Sequence, residues 1–165
     1  MYVFLRKKCP HYFYPISPMG IAQSAALFKP TIVPMHSYRI LVVDDNENCA
    51  KIMMWTMEIL GHTVKMATDG LAAIELAKSF RPDVVLLDIG LPEMNSYEIC
   101  QAMKKEPILK NTVFIAQTGW GQKEHRERTR EAGFDHHLVK PVDMKALAAI
   151  LLELGKAGVS AEPVH

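Results

Sequence analysis

The sequence predicts an α/β protein built on a doubly wound, five-stranded parallel sheet flanked by five helices. Two features carry that prediction. Short apolar runs rich in β-branched residues, of the kind buried on both faces of a parallel sheet, recur from Tyr38 onward. Stretches with helical spacing separate them in strict alternation, as parallel neighbours require, because only a crossover connection can join them.

The first run covers residues 39–43 and ends in Asp44, Asp45 and Asn46. A helix follows over 47–60, with Asn46 as its N-cap, Gly61 as its stop, and Cys49, Met53, Thr56 and Leu60 on its core stripe. A second strand spans 62–67. After a Thr68-Asp69-Gly70 turn, a helix over 71–80 puts Leu71, Ile74, Ala77 and Lys78 at helical spacing before Arg81-Pro82-Asp83 ends it. The third run, 84–87, has Asp88 directly at its carboxyl end. Then come a helix near 97–105, a strand near 112–116, a polar helix near 122–132 and a strand near 137–139. The last helix, 144–154, is capped by Asp143 and turns Leu147, Ile150, Leu151 and Leu154 inward.

A chain of 165 residues holds one well-buried domain and a tail. With 49% apolar residues and a formal net charge of +1, it belongs with soluble globular proteins and lacks the basic field that nucleic acid demands. Cys9, Cys49 and Cys100 are far apart, odd in number and without CxxC spacing. They suggest neither a disulfide framework nor a zinc site, and a reducing cytoplasm suits them. Residues 1–37 are expected to form a disordered, basic, proline-rich tail: Arg6, Lys7, Lys8 and Lys29 are the only ionised side chains before Pro34. Pro10, Pro15 and Pro18 break the uncharged run that a signal peptide would need, and no stretch of about 20 apolar residues offers a membrane span. The folded domain is expected over 38–155 with a short tail at 156–165, and no DNA-binding or other effector segment follows it, so its output is expected to come from binding another protein.

In doubly wound sheets a ligand binds outside the carboxyl ends of the strands, where the strand order reverses. Asp44 and Asp45 after the first strand, Asp88 after the third, Thr118 after the fourth and Lys140 after the fifth should therefore converge. Three crowded carboxylates repel one another unless a cation binds, and an all-oxygen set favours a hard ion such as magnesium. Lys140 offers a point cation and Thr118 a hydroxyl donor to the oxygens of a phosphoryl group, with Asp88 as the free oxygen nucleophile. A carboxylate nucleophile yields an acyl phosphate, a reactive anhydride suited to a transient mark. Taken singly, each residue reads as a turn former, a helix cap or a solvated lysine; their joint placement at strand ends is what points to phosphoryl transfer.

The motifs at residues 40–46 (ILVVDDN), 84–94 (VVLLDIGLPEM), 117–119 (QTG) and 139–141 (VKP) resemble the response-regulator receiver family across residues 38–155. The resemblance implies a flavodoxin-like receiver fold and a single-domain regulator of a two-component phosphorelay. Asp88 would accept a phosphoryl group from a histidine kinase or histidine phosphotransfer protein, in a magnesium-dependent reaction in the cytoplasm, and signal to an unnamed downstream protein. It further implies that Asp45, Asp88 and the Gly90 carbonyl ligate Mg2+, that Asp44 acts largely through water, that Thr118 and Lys140 hold the phosphoryl group, and that the Lys140-Pro141 bond is cis. The chain also looks like receivers that end hybrid histidine kinases. Two positions depart from the family pattern. Its Met-Asp-Gly loop reads Met94-Asn95-Ser96, where Asn tolerates positive φ and Ser can cap a helix. The aromatic switch position, three residues before the lysine, holds His137.

Two other functions compete. A haloacid-dehalogenase-type phosphohydrolase also phosphorylates an aspartate at a strand end, but it resembles Asp-x-Asp, and Gly90 stands where the second acid would act. A phosphorylation-independent interaction module should have lost at least one of Asp45, Asp88, Thr118 and Lys140. The chain is thus expected to be a signalling module and not an enzyme. Its first helix carries Ile52, Trp55 and Ile59 on a stripe adjoining the core face, with Met54 near the outer face. That stripe is either a broad buried face or a docking edge for a partner.

Overall fold

The computed structural model describes residues 36–92, 95–119 and 123–156. The tails expected at 1–37 and 156–165 fall almost wholly outside these residues, as do Met94 and Gln122. Strand and helix alternate as β1 (Arg39–Val43), α1 (Glu47–Ile59), β2 (Thr63–Ala67), α2 (Gly70–Phe80), β3 (Val84–Asp88), α3 (Ser96–Lys104), β4 (Val113–Thr118), α4 (Lys123–Glu131), β5 (His136–Val139) and α5 (Met144–Lys156). A 3-10 turn at Pro107–Leu109 is the one element without a counterpart in the sequence reading. The strands pair in parallel in the order β2-β1-β3-β4-β5. The fold expected from the alternation is the fold observed.

Alternation along each strand divides the core between two faces. Leu41, Val43, Val85, Leu87, Phe114 and Ala116 pack with α2 and α3, while Ile40, Val42, Val84, Leu86, Ile115 and Leu138 pack with α1 and α5. These strand residues are fully or nearly fully buried, so each large one contributes on the order of 1.5–3 kcal/mol of transfer free energy. Two acids, Asp83 buried and Asp135 exposed, tie the amino ends of the strands. Asp83 accepts from the Arg39 backbone N–H at 2.7 Å and from its guanidinium at 3.3 Å, and Asp135 accepts from the Phe114 N–H at 2.8 Å.

The caps follow the chemistry of the sequence. Asn46 Oδ1 accepts from the N–H groups of Asn48 and Cys49, and Asp69 Oδ1 from that of Ala72. Gly61 follows α1 with φ +92°, a conformation that only glycine adopts without strain. Asp143 caps α5, accepting from the Lys145 N–H at 2.8 Å, and its Leu147 and Leu151 are buried as expected. Lys140-Pro141 is cis.

Four local expectations need correction. The core stripe of α1 is Ala50, Met53 and Met57, with Cys49 and Thr56 rotated off it and Met54 packed against the core instead of facing out. On α2 the buried positions are Gly70, Ala73 and Ala77, and Leu71 is 70% exposed. Asn95, at φ −63°, caps α3, and Ser96 is its first helical residue. Cys49 is disulfide-bonded, where the cysteine spacing suggested no bridge. Cys100 is a free thiol that burial pushes up to about 12, well out of the reactive range.

Two measurements test this packing. Among the α4 residues whose side chains are described, only Thr129 is buried, so little tertiary contact holds the described part of the helix. Its amides are expected to exchange with solvent well before those of α5, and equal protection would contradict this. His62 links α1 to the sheet: its Nδ1 accepts from the Tyr38 N–H at 3.3 Å, and burial lowers its pKa. The unfolded chain therefore binds the proton more readily, and the stability His62 contributes is complete above the unfolded value of about 6.5 and lost as the pH falls through the lower folded value. The melting temperature should drop over that window, and His62→Asn, which keeps an acceptor without a proton to gain, should flatten the drop. An identical pH profile in the variant would count against it.

Candidate functional site

The strands β1 and β3 are central neighbours whose other partners, β2 and β4, lie on opposite sides. Their carboxyl ends open the crevice where ligands bind in such sheets. Register then sets the depth of each side chain. Val43 pairs with Leu87, so Asp44 and Asp88 emerge level with each other. Asp88 pairs with Gln117 and Thr118 with Val139, so Thr118 and Lys140 follow on the next two strands at the same end.

One carboxylate oxygen from each of Asp44, Asp45 and Asp88 lies within 4.8 Å of the others. Asp44 and Asp88 are buried and Asp45 is exposed, so the cluster opens to solvent on one side. Lys140 Nζ spans the two buried acids, donating to Asp44 Oδ2 at 2.6 Å and Asp88 Oδ2 at 2.8 Å. The remaining oxygens are held by backbone: Asp44 Oδ1 accepts from the Asn46 N–H at 2.9 Å and Asp88 Oδ1 from the Gly90 N–H at 3.0 Å. Bonding on both oxygens of Asp88 fixes the orientation of its carboxylate.

Among the described residues the charges do not balance, because one ammonium faces three carboxylates. Burial raises the pKa of Asp44, and the hydrogen bond and charge of Lys140 pull it back only in part. Burial alone would lower Lys140, yet its bonds to Asp44 and Asp88 outweigh that and hold the ammonium above the ordinary lysine value. A surplus of negative charge on an all-oxygen donor set is what a hard divalent cation relieves, and the three carboxylates fit magnesium on that ground.

The structure brings together Asp44, Asp45, Asp88 and Lys140. Thr118 is buried at the same strand ends, but its hydroxyl pairs with His137 Nε2 at 3.0 Å. Gly90 contacts Asp88 through its N–H, and a Cβ there would meet both carboxylate oxygens at 3.6 Å, ordinary van der Waals distance. Two residues had a part that the sequence did not disclose. The Ser96 hydroxyl, 1% exposed, donates to the Asp88 carbonyl at 2.6 Å, so the residue that departs from the family loop anchors α3 to the Asp88 backbone. No periodicity flags a contact across eight residues of loop. His137, which stands at the substituted switch position, is bonded to the Thr118 hydroxyl.

Residues 40–152 match the response regulator receiver domain. Among curated proteins, the polar-differentiation response regulator DivK of Brucella anthropi is 32% identical over 105 residues, which is 64% of this chain and 85% of that protein. The DNA-binding dual master transcriptional regulator RpaA of Synechocystis is 28% identical over 67% of this chain, which spans under half (46%) of that longer protein. Among solved structures, the signal receiver domain of the DNA-binding response regulator merR from Colwellia psychrerythraea superposes with a TM-score of 0.67 at 26% identity, over 73% of this chain and 99% of that one. The chemotaxis protein CheY4 of Vibrio cholerae gives 0.67 at 26% identity, over 72% and 98%. With its strand order, its acidic crevice and this match over most of its length, the chain belongs to the family of response regulator receiver domains.

Proposed function

We propose that residues 38–155 act as a phosphorylation-dependent signalling module, in which Asp88 accepts a phosphoryl group from a phosphohistidine on a kinase or phosphotransfer protein. The observation that carries this reading is the pair of hydrogen bonds from Lys140 to Asp44 and Asp88, within a cluster that also holds Asp45. An Asp88 oxygen attacks phosphorus, the P–O bond forms as the P–N bond breaks, and the departing imidazole nitrogen keeps the electron pair. Magnesium, held by Asp45, Asp88 and the Gly90 carbonyl with Asp44 through water, would offset the charge of the carboxylates and of the phosphoryl oxygens. Lys140 releases Asp88 Oδ2 and follows the charge onto a phosphoryl oxygen, and Thr118 donates its hydroxyl to another.

Gly90 leaves no acid two residues after the nucleophile, which supports a stored acyl phosphate over rapid hydrolytic turnover. The output is then a protein contact that differs between the two states. Among the described residues no helix is long and apolar enough to cross a membrane, and we place the module in the cytoplasm with the ATP-fed donor it requires. Its edge on α1 supports docking of that donor. Trp55 is 55% exposed and Ile59 82%, next to Ile52 at 37%, on the helix that begins beside Asp44 and Asp45.

Incubation with acetyl phosphate and magnesium should add one phosphate by intact mass, and Asp88→Ala should abolish it. A gain that persists in Asp88→Ala would contradict the assignment. Asp45→Ala should also remove labelling by weakening cation binding, and no variant should turn over a generic phosphate ester. For docking, Trp55→Ala is expected to slow transfer from a phosphohistidine protein about tenfold, a loss of about 1.4 kcal/mol of transition-state binding. Labelling by acetyl phosphate should hardly change. Equal losses with both donors, or a large fall in melting temperature, would show Trp55 to be structural instead.

A further inference from the structure

The Thr118 hydroxyl is already engaged. Its Oγ1 lies 3.0 Å from His137 Nε2, on the neighbouring strand, where Ala116 pairs with His137 and Thr118 with Val139. Thr118 is 3% exposed, so little solvent competes for this contact. A hydroxyl has one hydrogen and two acceptor lone pairs, whereas a neutral imidazole nitrogen either carries a hydrogen or offers a lone pair. Two arrangements of this contact are therefore possible, and they exclude each other. If Nε2 carries the ring hydrogen, it donates to Oγ1, and the threonine keeps its own hydrogen for a phosphoryl oxygen. If the ring hydrogen is on Nδ1, Nε2 accepts from Oγ1, and Thr118 has nothing left to donate.

We propose that His137 is a positioning residue for Thr118, and that phosphorylation of Asp88 selects the ring tautomer with hydrogen on Nε2. This rests on the reading of Asp88 as phosphoryl acceptor and of Thr118 as donor to the phosphoryl group. A phosphoryl oxygen that takes the threonine hydrogen leaves Oγ1 a pure acceptor toward the ring, so the state of Asp88 is written into the position of one hydrogen on β5. Phenylalanine at this position could fill the space but could not take part in the exchange. Glutamine could, because its amide group both donates and accepts. The ring stays beside Thr118 in both states, and it reports phosphorylation by its hydrogen, not by swinging out.

The test uses the full chain labelled with 15N-histidine, with the His137 ring signals assigned by their loss in His137→Gln. Spectra are recorded with magnesium before and after addition of beryllofluoride, and 19F spectra report whether the fluoride is bound. With beryllofluoride bound, Nε2 of His137 should show the shift of a protonated nitrogen and Nδ1 that of an unprotonated one, and Thr118→Val should abolish that preference. Bound fluoride with the ring hydrogen on Nδ1, or with a ring averaging freely in solvent, overturns the role of His137 and leaves Asp88 as acceptor intact. No bound fluoride overturns both. In parallel, His137→Phe is expected to slow labelling by acetyl phosphate about fivefold at unchanged melting temperature, in keeping with loss of one hydrogen bond, while His137→Gln stays near the wild-type rate. Equal slowing in both variants, or in neither, contradicts the proposal.

Discussion

One interaction organises the rest of the site: the ammonium of Lys140 held between the carboxylates of Asp44 and Asp88. Carboxylates at neighbouring strand ends would otherwise push the carboxyl edge of the sheet apart. Lys140 comes from the far side of the sheet, after β5, so its bonds close the crevice across the ends of β1, β3 and β4. Breaking a fully buried ion pair costs about 3–5 kcal/mol, and the cost here is smaller because Lys140 keeps 29% of its side chain in solvent. That partial exposure also matters for function. A cation sealed between two acids could not move onto an incoming phosphoryl group, whereas one at the rim can exchange one anionic partner for another with little reorganisation.

In the proposed function, the same charge accounting would make the site a switch. With one lysine against three carboxylates among the described residues, a surplus of negative charge lies beside Asp88, and Asp44, raised by burial, bears part of the strain. A bound cation and a phosphoryl group would change the sum in opposite directions, and on the proposed reading Lys140 and the hydroxyl of Thr118 are the groups that would respond. Thr118 adjoins the route to α4, the helix with the fewest buried side chains among those described. On the proposed reading, a change of hydrogen bonding at the end of β4 would reach the described part of the fold least held by its own packing.

The sheet and the site were legible in the sequence because they rest on strong, local signals. Each buried strand is an unbroken apolar run, and each site residue stands immediately after such a run, so the order of elements alone puts Asp44, Asp88 and Lys140 at one edge. The helix faces were harder to read. Residues 52–59 of α1 include apolar side chains on several sides, so periodicity could not choose between the phase through Cys49 and Thr56 and the one through Ala50 and Met57. The small Ala50 and the long Met57 won because they fit against the sheet. On α2 the same preference buries Ala73 and Ala77 and leaves Leu71 outside. Ser96 and His137 stayed hidden because their bonds depend on where a loop and a neighbouring strand bring them, which no linear spacing encodes.

The central claim is that the three acids form one cation site in which Lys140 is the competing charge. Calorimetric titration of the unphosphorylated protein with magnesium tests it most directly, comparing wild type with Asp45→Ala and Lys140→Met. The account requires one site in the wild type, binding lost or strongly weakened in Asp45→Ala, and tighter binding in Lys140→Met, where two buried carboxylates have lost their ammonium. Unchanged affinity in Asp45→Ala, or weaker binding in a folded Lys140→Met, would contradict it.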